Sequence, residues 1–482
     1  MSNNIVCEKE LKEKLIEKMW KSDDKKFLEY LNNPDNTKYG LAKYFFHTHT
    51  DYGSPKDSML TIRTYVSKAK DMGAKAIAIS DHGTMYAVPL LYDECEKKSL
   101  KLVIGVEFYV CDTIEDKHRK KHTRFHLCAY AKNMIGYHVI ARLITESNNR
   151  MIVIHTQDGD LTYPCISKKL LETYLGPGTE GHGNVILTSA CVGGVITGYS
   201  YANETLKANI QDLEKKLNQQ KESLEKVKFA DQALEKAESE KAVLMEISKK
   251  TYTKRKNALK RHPNPEEEHQ IMLEEAETQQ ATIKLKELND VIRQAKKMKT
   301  ENQKQIDQLT KIKYCDEPML QELMKRDMQE LQQLKSEVVP EHELIRKFEE
   351  EALWYDQLAG HGNWYIELQY HHISTEKKYM PYLVKIAKKH NIPLLAANDA
   401  HMADKEDAII RKYVNSLRFN KWEPLADGDE EMYLKDDVSL YQILASCVGA
   451  NAAWEAMKNR EMLAENCNVR FEKEEHYPKY IA

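Results

Sequence analysis

No glycine occurs between Gly198 and Gly360. Lys, Glu, Gln and Leu dominate that stretch, and such a composition favours long helices. Within it Leu206, Ile210, Leu213, Leu217, Leu224 and Val227 keep an alternating four–three spacing that Gln220 interrupts. Leu288, Ile292, Ala295, Ile306 and Leu309 keep it again. This is a heptad pattern. His262-Pro263-Asn264-Pro265 lies between the two arms and cannot continue a helix. The pattern predicts an antiparallel coiled-coil hairpin with its tip near Pro263–Pro265, and a third helix over Met319–Val338 that returns after Pro318. Arms of about 50–60 residues, at about 1.5 Å per residue, reach ~80 Å. Any globular fold must therefore be assembled from the two flanks.

The flanks carry a different pattern. Ala74–Ile79 and Leu102–Val106 are short apolar runs set between segments of helical period, as the buried strands of βα units are. Phe46-His47-Thr48-His49 comes before the first run, Ser80-Asp81-His82-Gly83 follows it, and Glu107 closes the second. Side chains two apart on an extended strand point the same way, so His47 and His49 can offer two imidazoles to one ion. Imidazoles and carboxylates from neighbouring strand ends suit divalent transition metals, and strand ends are where α/β barrels place their chemistry. Further strands are expected at Phe125–Tyr130, Val185–Thr188, Trp364–Gln369 and Ile392–His401, with helices over Met59–Met72 and Thr84–Lys98. Residues 1–43 read as two short amphipathic helices.

Composition narrows the class. The chain has 482 residues, enough for two or three domains, and a formal net charge of −3 that gives no global nucleic-acid or membrane signal. No apolar run approaches 18 residues, so no transmembrane span is expected. Met1–Glu10 lacks a basic region followed by an apolar one, so no secretory signal is expected. Nine cysteines without a C-x-x-C pair suggest free thiols in a reducing cytoplasm.

His47-Thr48-His49-Thr50-Asp51-Tyr52, Ile79-Ser80-Asp81-His82-Gly83-Thr84-Met85 and Ile104-Gly105-Val106-Glu107-Phe108-Tyr109 resemble the PHP (polymerase and histidinol phosphatase) domain. The resemblance is to the form found in bacterial DNA polymerase III alpha subunits. It returns in order at His126, at Ser189-Ala190-Cys191-Val192-Gly193-Gly194, at Trp364–Gln369 and at Asp399-Ala400-His401. Taken alone, His126 reads as a core histidine and Cys191 as a small buried hydrophobe; the resemblance makes both ligands. It implies nine metal ligands: His47, His49, Asp57, His82, Glu107, His126, Cys191, Asp399 and His401. Asp51 competes with Asp57 for its place, and Asp57 is preferred. Glu107 is the expected bridge, and His47, His49, Asp399 and His401 join it as the expected catalytic set. Nine side chains exceed one ion's needs, so two or three divalent ions are expected: zinc, manganese or iron. Asp81 is a candidate to hold a ligand imidazole, and Arg124 and the Lys117–Lys121 cluster are candidates to seat phosphate. His118, His122, His138, His371 and His372 are assigned no site role.

The resemblance implies a distorted (β/α)7-type barrel, interrupted here by the hairpin. The expected divisions are 1–43 lead-in, 44–200 first barrel part, 201–345 insertion, 346–425 second barrel part and 426–482 helical extension. The implied activity is metal-dependent phosphoester hydrolysis, with a DNA 3′ end as substrate and a separately encoded polymerase or another replisome protein as partner. Two alternatives stay open: a non-catalytic replisome module, and a small-molecule phosphatase of histidinol-phosphatase type. Seven cations, Lys249, Lys250, Lys254, Arg255, Lys256, Lys260 and Arg261, lie near the tip without an intervening acid. They read either as a solvated helix face balanced by Glu266–Glu268 across the turn or as a tip that contacts DNA or protein.

Overall fold

The computed structural model describes residues 42–55, 57–111, 124–156, 159–261, 264–419 and 428–472. The helices expected over 1–43, the Lys117–Lys121 cluster with His118 and His122, and Pro263 at the tip lie outside the described residues. The chain forms two compact units, Met1–Ala202 with Val339–Ala482, and Asn203–Val338.

Among its described residues the first unit has nine strands: β1 Tyr44–Phe45, β2 Ala76–Ile79, β3 Lys101–Cys111, β4 Arg124–Ala131, β5 Met151–Thr156, β6 Gly159–Ser167, β7 Val185–Thr188, β8 Trp364–Leu368 and β9 Leu394–Ala396. The sheet runs β1-β2-β3-β4-β7-β8-β9, with β6 pairing β3 and β5 off this path. Its neighbours are parallel except around β4, which is antiparallel to both β3 and β7. Beyond the last strand an isolated parallel bridge joins Thr48 to Ala400. His49 N donates to Ala400 O at 2.9 Å and Ala400 N donates to His47 O at 2.9 Å. These bonds tie the continuation of β1 to that of β9 and close the ring. The fold is therefore an α/β barrel, distorted by one reversed strand.

The strands read as continuous apolar runs because both faces are covered. Ala76–Ile79, Val185–Thr188 and Trp364–Leu368 are buried at every position. The helices on the outside stop where their sequence requires it. Ile62–Asp71 is capped by Thr61, whose hydroxyl accepts from Thr64 N at 3.1 Å, and the chain leaves through Gly73 at φ 79°. The next helix, Val88–Lys98, starts four residues later than expected from Thr84, with Pro89 in its first turn. Under the barrel, Arg460 is buried and donates to Tyr44 O at 2.8 Å while pairing with Asp437 at 2.9 Å. That contact anchors the C-terminal helix Ala450–Asn466 to β1.

Two features of the strands depart from expectation. β3 runs on to Cys111, so Glu107 lies inside a strand rather than closing one. The antiparallel pair β5–β6 had no counterpart in the sequence reading.

The second unit is helical. It contains most of Gly198–Leu259, then Pro265–Thr310 and Glu317–Glu337. Leu217, Ile306, Cys315, Leu320 and Met324 form its core, with Leu213, Leu224 and Val227 against them. Charge pairs match the antiparallel order: Asp231–Lys299 and Lys254–Glu274 between the two long helices, and Glu214–Lys335 and Lys228–Glu317 with the third. The basic stretch is partly neutralised, because Lys254 pairs with Glu274, Arg255 with Glu275 and Lys250 with Glu246. Glu267 has a different task. It closes a capping box with Asn264, whose side chain accepts from Glu267 N at 2.8 Å.

Candidate metal centre

The nine sequence-selected residues meet at the rim where the ring closes. Glu107 stands at the middle, buried within β3. Its Oε1 lies 2.9 Å from His126 Nδ1 and 3.4 Å from His47 Nε2. Its Oε2 lies 2.7 Å from His82 Nδ1 and 3.5 Å from His49 Nε2. One carboxylate thus faces four imidazoles, two on each oxygen. Asp399 Oδ1 lies 3.1 Å from His49 Nε2 and 3.3 Å from His47 Nε2. Asp57 Oδ2 lies 2.9 Å from His82 Nε2 and 3.4 Å from His401 Nε2. Cys191 Sγ is 3.4 Å from His126 Nδ1. Asp57 occupies the position for which Asp51 competed.

Local backbone geometry makes this convergence possible. His47, Asp399 and Ala190 have φ of 56°, 48° and 59°. A left-handed conformation at a non-glycine residue costs free energy. Here it turns the chain just beyond β1, β9 and β7, so that the side chains at those ends face inward.

Several imidazoles are oriented from behind. His47 Nδ1 donates to Glu367 Oε2 at 2.9 Å, which leaves Nε2 facing the cluster. His401 Nδ1 donates to Asp399 O at 2.8 Å, with the same result. His49 Nδ1 is 3.4 Å from Ser54 Oγ, which donates to Asp81 Oδ1 at 2.9 Å. Such outer contacts fix the tautomer and ring angle of a ligand histidine. Asp81 therefore does not hold the neighbouring His82 ring. It also accepts from Thr50 N at 2.6 Å and Thr50 Oγ1 at 2.7 Å, and so braces the turn that carries His49.

Other residues at the centre had no role in the sequence reading. Glu367 was visible only as part of a strand motif. Cys128 Sγ lies 3.6 Å from His47 Nδ1 on the floor of the site. Arg411 holds Asp57, with Nη2 3.2 Å from Oδ1 and Nη1 bonded to the backbone oxygen, while its Nε donates to Asp429 at 2.9 Å. His371 is buried between Glu376 Oε1 and Asn398 O, both at 2.8 Å, and so steadies the residue before Asp399; His372 is exposed. Position along the β4 strand could have flagged Cys128, two residues from His126 on the same face. Nothing in sequence spacing pointed to Arg411.

The electrostatics follow from packing four carboxylates against five imidazoles. Burial works against charge on Glu107, yet His126 and His82 hold its carboxyl well below the usual carboxylate range. Asp399 is held low against burial by His47 and His401, and Asp57 chiefly by His401. His49 is pushed down to about 3, first by burial and then by its neighbours His82 and His401. His47 moves up despite burial. The Cys128 thiol beside it is itself raised by burial and stays neutral, so the carboxylates of Asp399 and Glu367 supply the charge.

The donor set fits divalent ions. His49 Nε2, His82 Nδ1, both oxygens of Glu107, Asp399 Oδ1 and His401 Nε2 are buried and have no hydrogen-bond partner. Six orphaned polar atoms at one point are costly unless something coordinates them. Among the described residues the donors form four triads: His47 with His49 and Asp399, His49 with His82 and His401, His47 with Cys128 and Glu367, and, sharing no member with these, Glu107 with His126 and Cys191. Within each triad they lie within 4.8 Å of one another.

The fold and this centre define a PHP-type barrel. Residues 46–230 match the PHP domain family, and the chain carries a PHP domain. Its relatives include proteins named DNA polymerase III subunit alpha. That of Campylobacter jejuni is 36% identical over 152 residues, 31% of this chain and 11% of the relative. That of Borreliella burgdorferi is 35% identical over 162 residues, 33% of this chain and 13% of the relative. That of Helicobacter pylori is 32% identical over 161 residues, 33% of this chain and 12% of the relative. The match thus spans only about an eighth of these relatives' length. A solved Bifidobacterium adolescentis protein, provisionally assigned as a metal-dependent phosphoesterase, is 23% identical with a TM-score of 0.18. The match covers 22% of this chain and 34% of that protein, too slight a likeness to carry an argument. No helix among the described residues is long and apolar enough to cross a membrane.

Proposed function

We propose that this protein is a metal-dependent phosphoesterase whose substrate is a DNA 3′ end, acting beside a separately encoded polymerase. The observation that carries the reading is the gathering of eight donor residues around Glu107, with six buried atoms that face one another at contact distance without forming an aligned hydrogen bond. Those donors would hold two or three divalent ions of the zinc, manganese or iron kind. The soft Cys191 favours zinc at its end of the cluster, and the carboxylate–imidazole remainder admits the other two. Bound divalent ions supply the Lewis acidity that activates water and neutralises phosphoryl charge.

The chain's own groups do the rest. Glu107 offers one oxygen to His47 and His126 and the other to His49 and His82, the arrangement expected of a bridge. Glu367, Ser54 and the backbone of Asp399 keep three imidazoles turned inward. The side chains of His82, Asp57 and His126 are 15%, 17% and 27% exposed, whereas His47 and His49 are fully buried. A phosphoester would therefore approach over His82 and His126. The relatives' name is the support for DNA as substrate and for a polymerase as partner, and the insertion 203–338 is the proposed contact with that partner.

The reading is tested by incubating the protein with 3′-labelled single-stranded DNA in Mn²⁺ and in Zn²⁺. Stepwise release of 3′ mononucleotides that stops on chelation supports it. A protein that releases none in either metal, yet is metal-loaded and folded, would mean the centre serves another substrate.

A further inference from the structure

Arg124, a candidate from the sequence to seat phosphate, stands at the open side of the centre and takes no part in its donor set. Arg124 opens β4 two residues before His126, so both side chains leave the same face of the strand, about 6.6 Å apart along it. Phe125 and Leu127, on the other face, are buried in the main core. The guanidinium lies 3.5 Å from the centre of the Tyr163 ring and 5.6 Å from that of Tyr109. Tyr109 in turn stacks on the ligand His82, centroids 5.6 Å apart at 15°, and meets His126 edge-on at 5.2 Å. Only one ring therefore separates the guanidinium from the two most accessible imidazoles of the cluster. Arg124 and Tyr163 are both half-buried. Among the described residues Arg124 has no carboxylate partner, whereas Arg411, Arg460 and Lys435 inside the same unit are all paired with acids.

We propose that Arg124, held on Tyr163 and Tyr109, binds the phosphate next to the scissile one. The site would then prefer a phosphodiester chain over an isolated phosphate ester. This rests on the phosphoesterase reading and narrows its substrate class. A guanidinium binds phosphate through paired N–H donors, and stacking on an aromatic face fixes its plane at little entropic cost. A small phosphate ester held at the ions has no second phosphate to reach a group one ring away. An oligonucleotide has one at every residue. Two further tyrosines suit the same class of ligand. Tyr52 and Tyr86, on the loops that carry His49 and His82, are 53% and 74% exposed, and exposed aromatic rings are what single strands stack upon.

The test compares the intact protein with Arg124→Gln and Arg124→Lys on two probes. Bis-p-nitrophenyl phosphate has one phosphodiester and no neighbour, and octathymidylate has a neighbour for each. Arg124→Gln should lower kcat/KM on octathymidylate by on the order of ten-fold more than on bis-p-nitrophenyl phosphate, chiefly through KM. Affinity for fluorescein-labelled octathymidylate, read by anisotropy in chelator so that nothing turns over, should lose about 0.7 from its log–log salt slope. Arg124→Lys should keep the slope. Equal losses on both probes, or an unchanged slope in Arg124→Gln, would overturn the assignment. If neither probe is hydrolysed by the intact protein, the phosphoesterase reading fails, and the anisotropy slope alone still decides whether Arg124 contacts the strand.

Discussion

His47 and Asp399 come from opposite ends of the chain, yet His47 Nε2 lies 3.3 Å from Asp399 Oδ1, and both residues have left-handed backbones. The contact sits at the closure of the barrel, one residue before each partner of the parallel bridge between Thr48 and Ala400. Ring closure and assembly of the centre are thus the same event. A barrel whose last strand fails to dock loses Asp399 and His401 together.

Replacing either of these residues should therefore remove chemistry without unfolding the barrel. His47→Ala or Asp399→Ala is expected to cut phosphoester hydrolysis by a factor on the order of 10² or more, and circular dichroism should remain that of the parent. A variant with the parent's rate would place the activity elsewhere.

Glu367 touches no proposed ion but orients His47 through Nδ1. Glu367→Gln keeps the shape and removes the charge that makes His47 a good ligand. Metal affinity should fall about 10–100-fold, as for other outer-sphere carboxylates. Titration with a competing chelator reads this directly, and affinity within two-fold of the parent would show that Glu367 only packs.

The pH response of the metal-free protein has a definite sign. His47 and His82 have folded values raised above 6.5, so the stability they contribute is complete below 6.5 and drains away as pH rises. His371 behaves the same way, beside Glu376. His49, lowered to about 3, works oppositely but only below 6.5. Lys435, lowered to about 8, adds stability only above that. Between pH 6.5 and 8 the chelated protein should therefore lose thermal stability as pH rises. The metal-loaded protein should not, because bound ions take the place of the protons. A melting temperature of the chelated form that rises across this window would contradict the account.

The unit Asn203–Val338 should be removable. Its flanks meet within the first unit, where Tyr199 OH donates to Glu351 Oε1 at 3.3 Å and Lys347 Nζ lies 3.6 Å from the Tyr199 ring. Closing a loop costs only a little more as it lengthens, so a short linker can replace a long insertion. A protein with residues 203–338 replaced by a short glycine-rich linker is expected to fold, bind metal and keep its activity on bis-p-nitrophenyl phosphate. Precipitation on expression, or a metal-free product, would show that the barrel needs the insertion.

Most of the proposed ligands were legible because they sit in short motifs at or just past strand ends; Glu107, inside β3, and Asp57, in the loop after His49, are the exceptions, and His126 and Cys191 were singled out only by the family resemblance. The long helices were legible because heptad spacing and two prolines leave few alternatives. What escaped the sequence depends on contacts between distant segments. Arg411 meets Asp57 only after the chain has crossed the whole barrel. Asp81 turned toward Thr50 and Ser54 because that turn offers three donors, a choice invisible from its place beside His82. The reversal of β4 likewise follows from pairing with β3 and β7, since its apolar run has no inherent direction. The basic stretch near the tip reads as balanced by Glu266–Glu268 across the turn, but its partners are Glu274 and Glu275, further along the other arm.

Glu107 and the eight donor residues around it are proposed to form a divalent-metal centre. Elemental analysis of protein purified without chelator tests it most directly, alongside an Asp399→Ala, His401→Ala double variant checked for folding. The account predicts two or three equivalents of zinc, manganese or iron per chain and a loss of at least one in the variant. Folded parent protein with no stoichiometric metal, and none taken up on dialysis against Zn²⁺, Mn²⁺ or Fe²⁺, would contradict it.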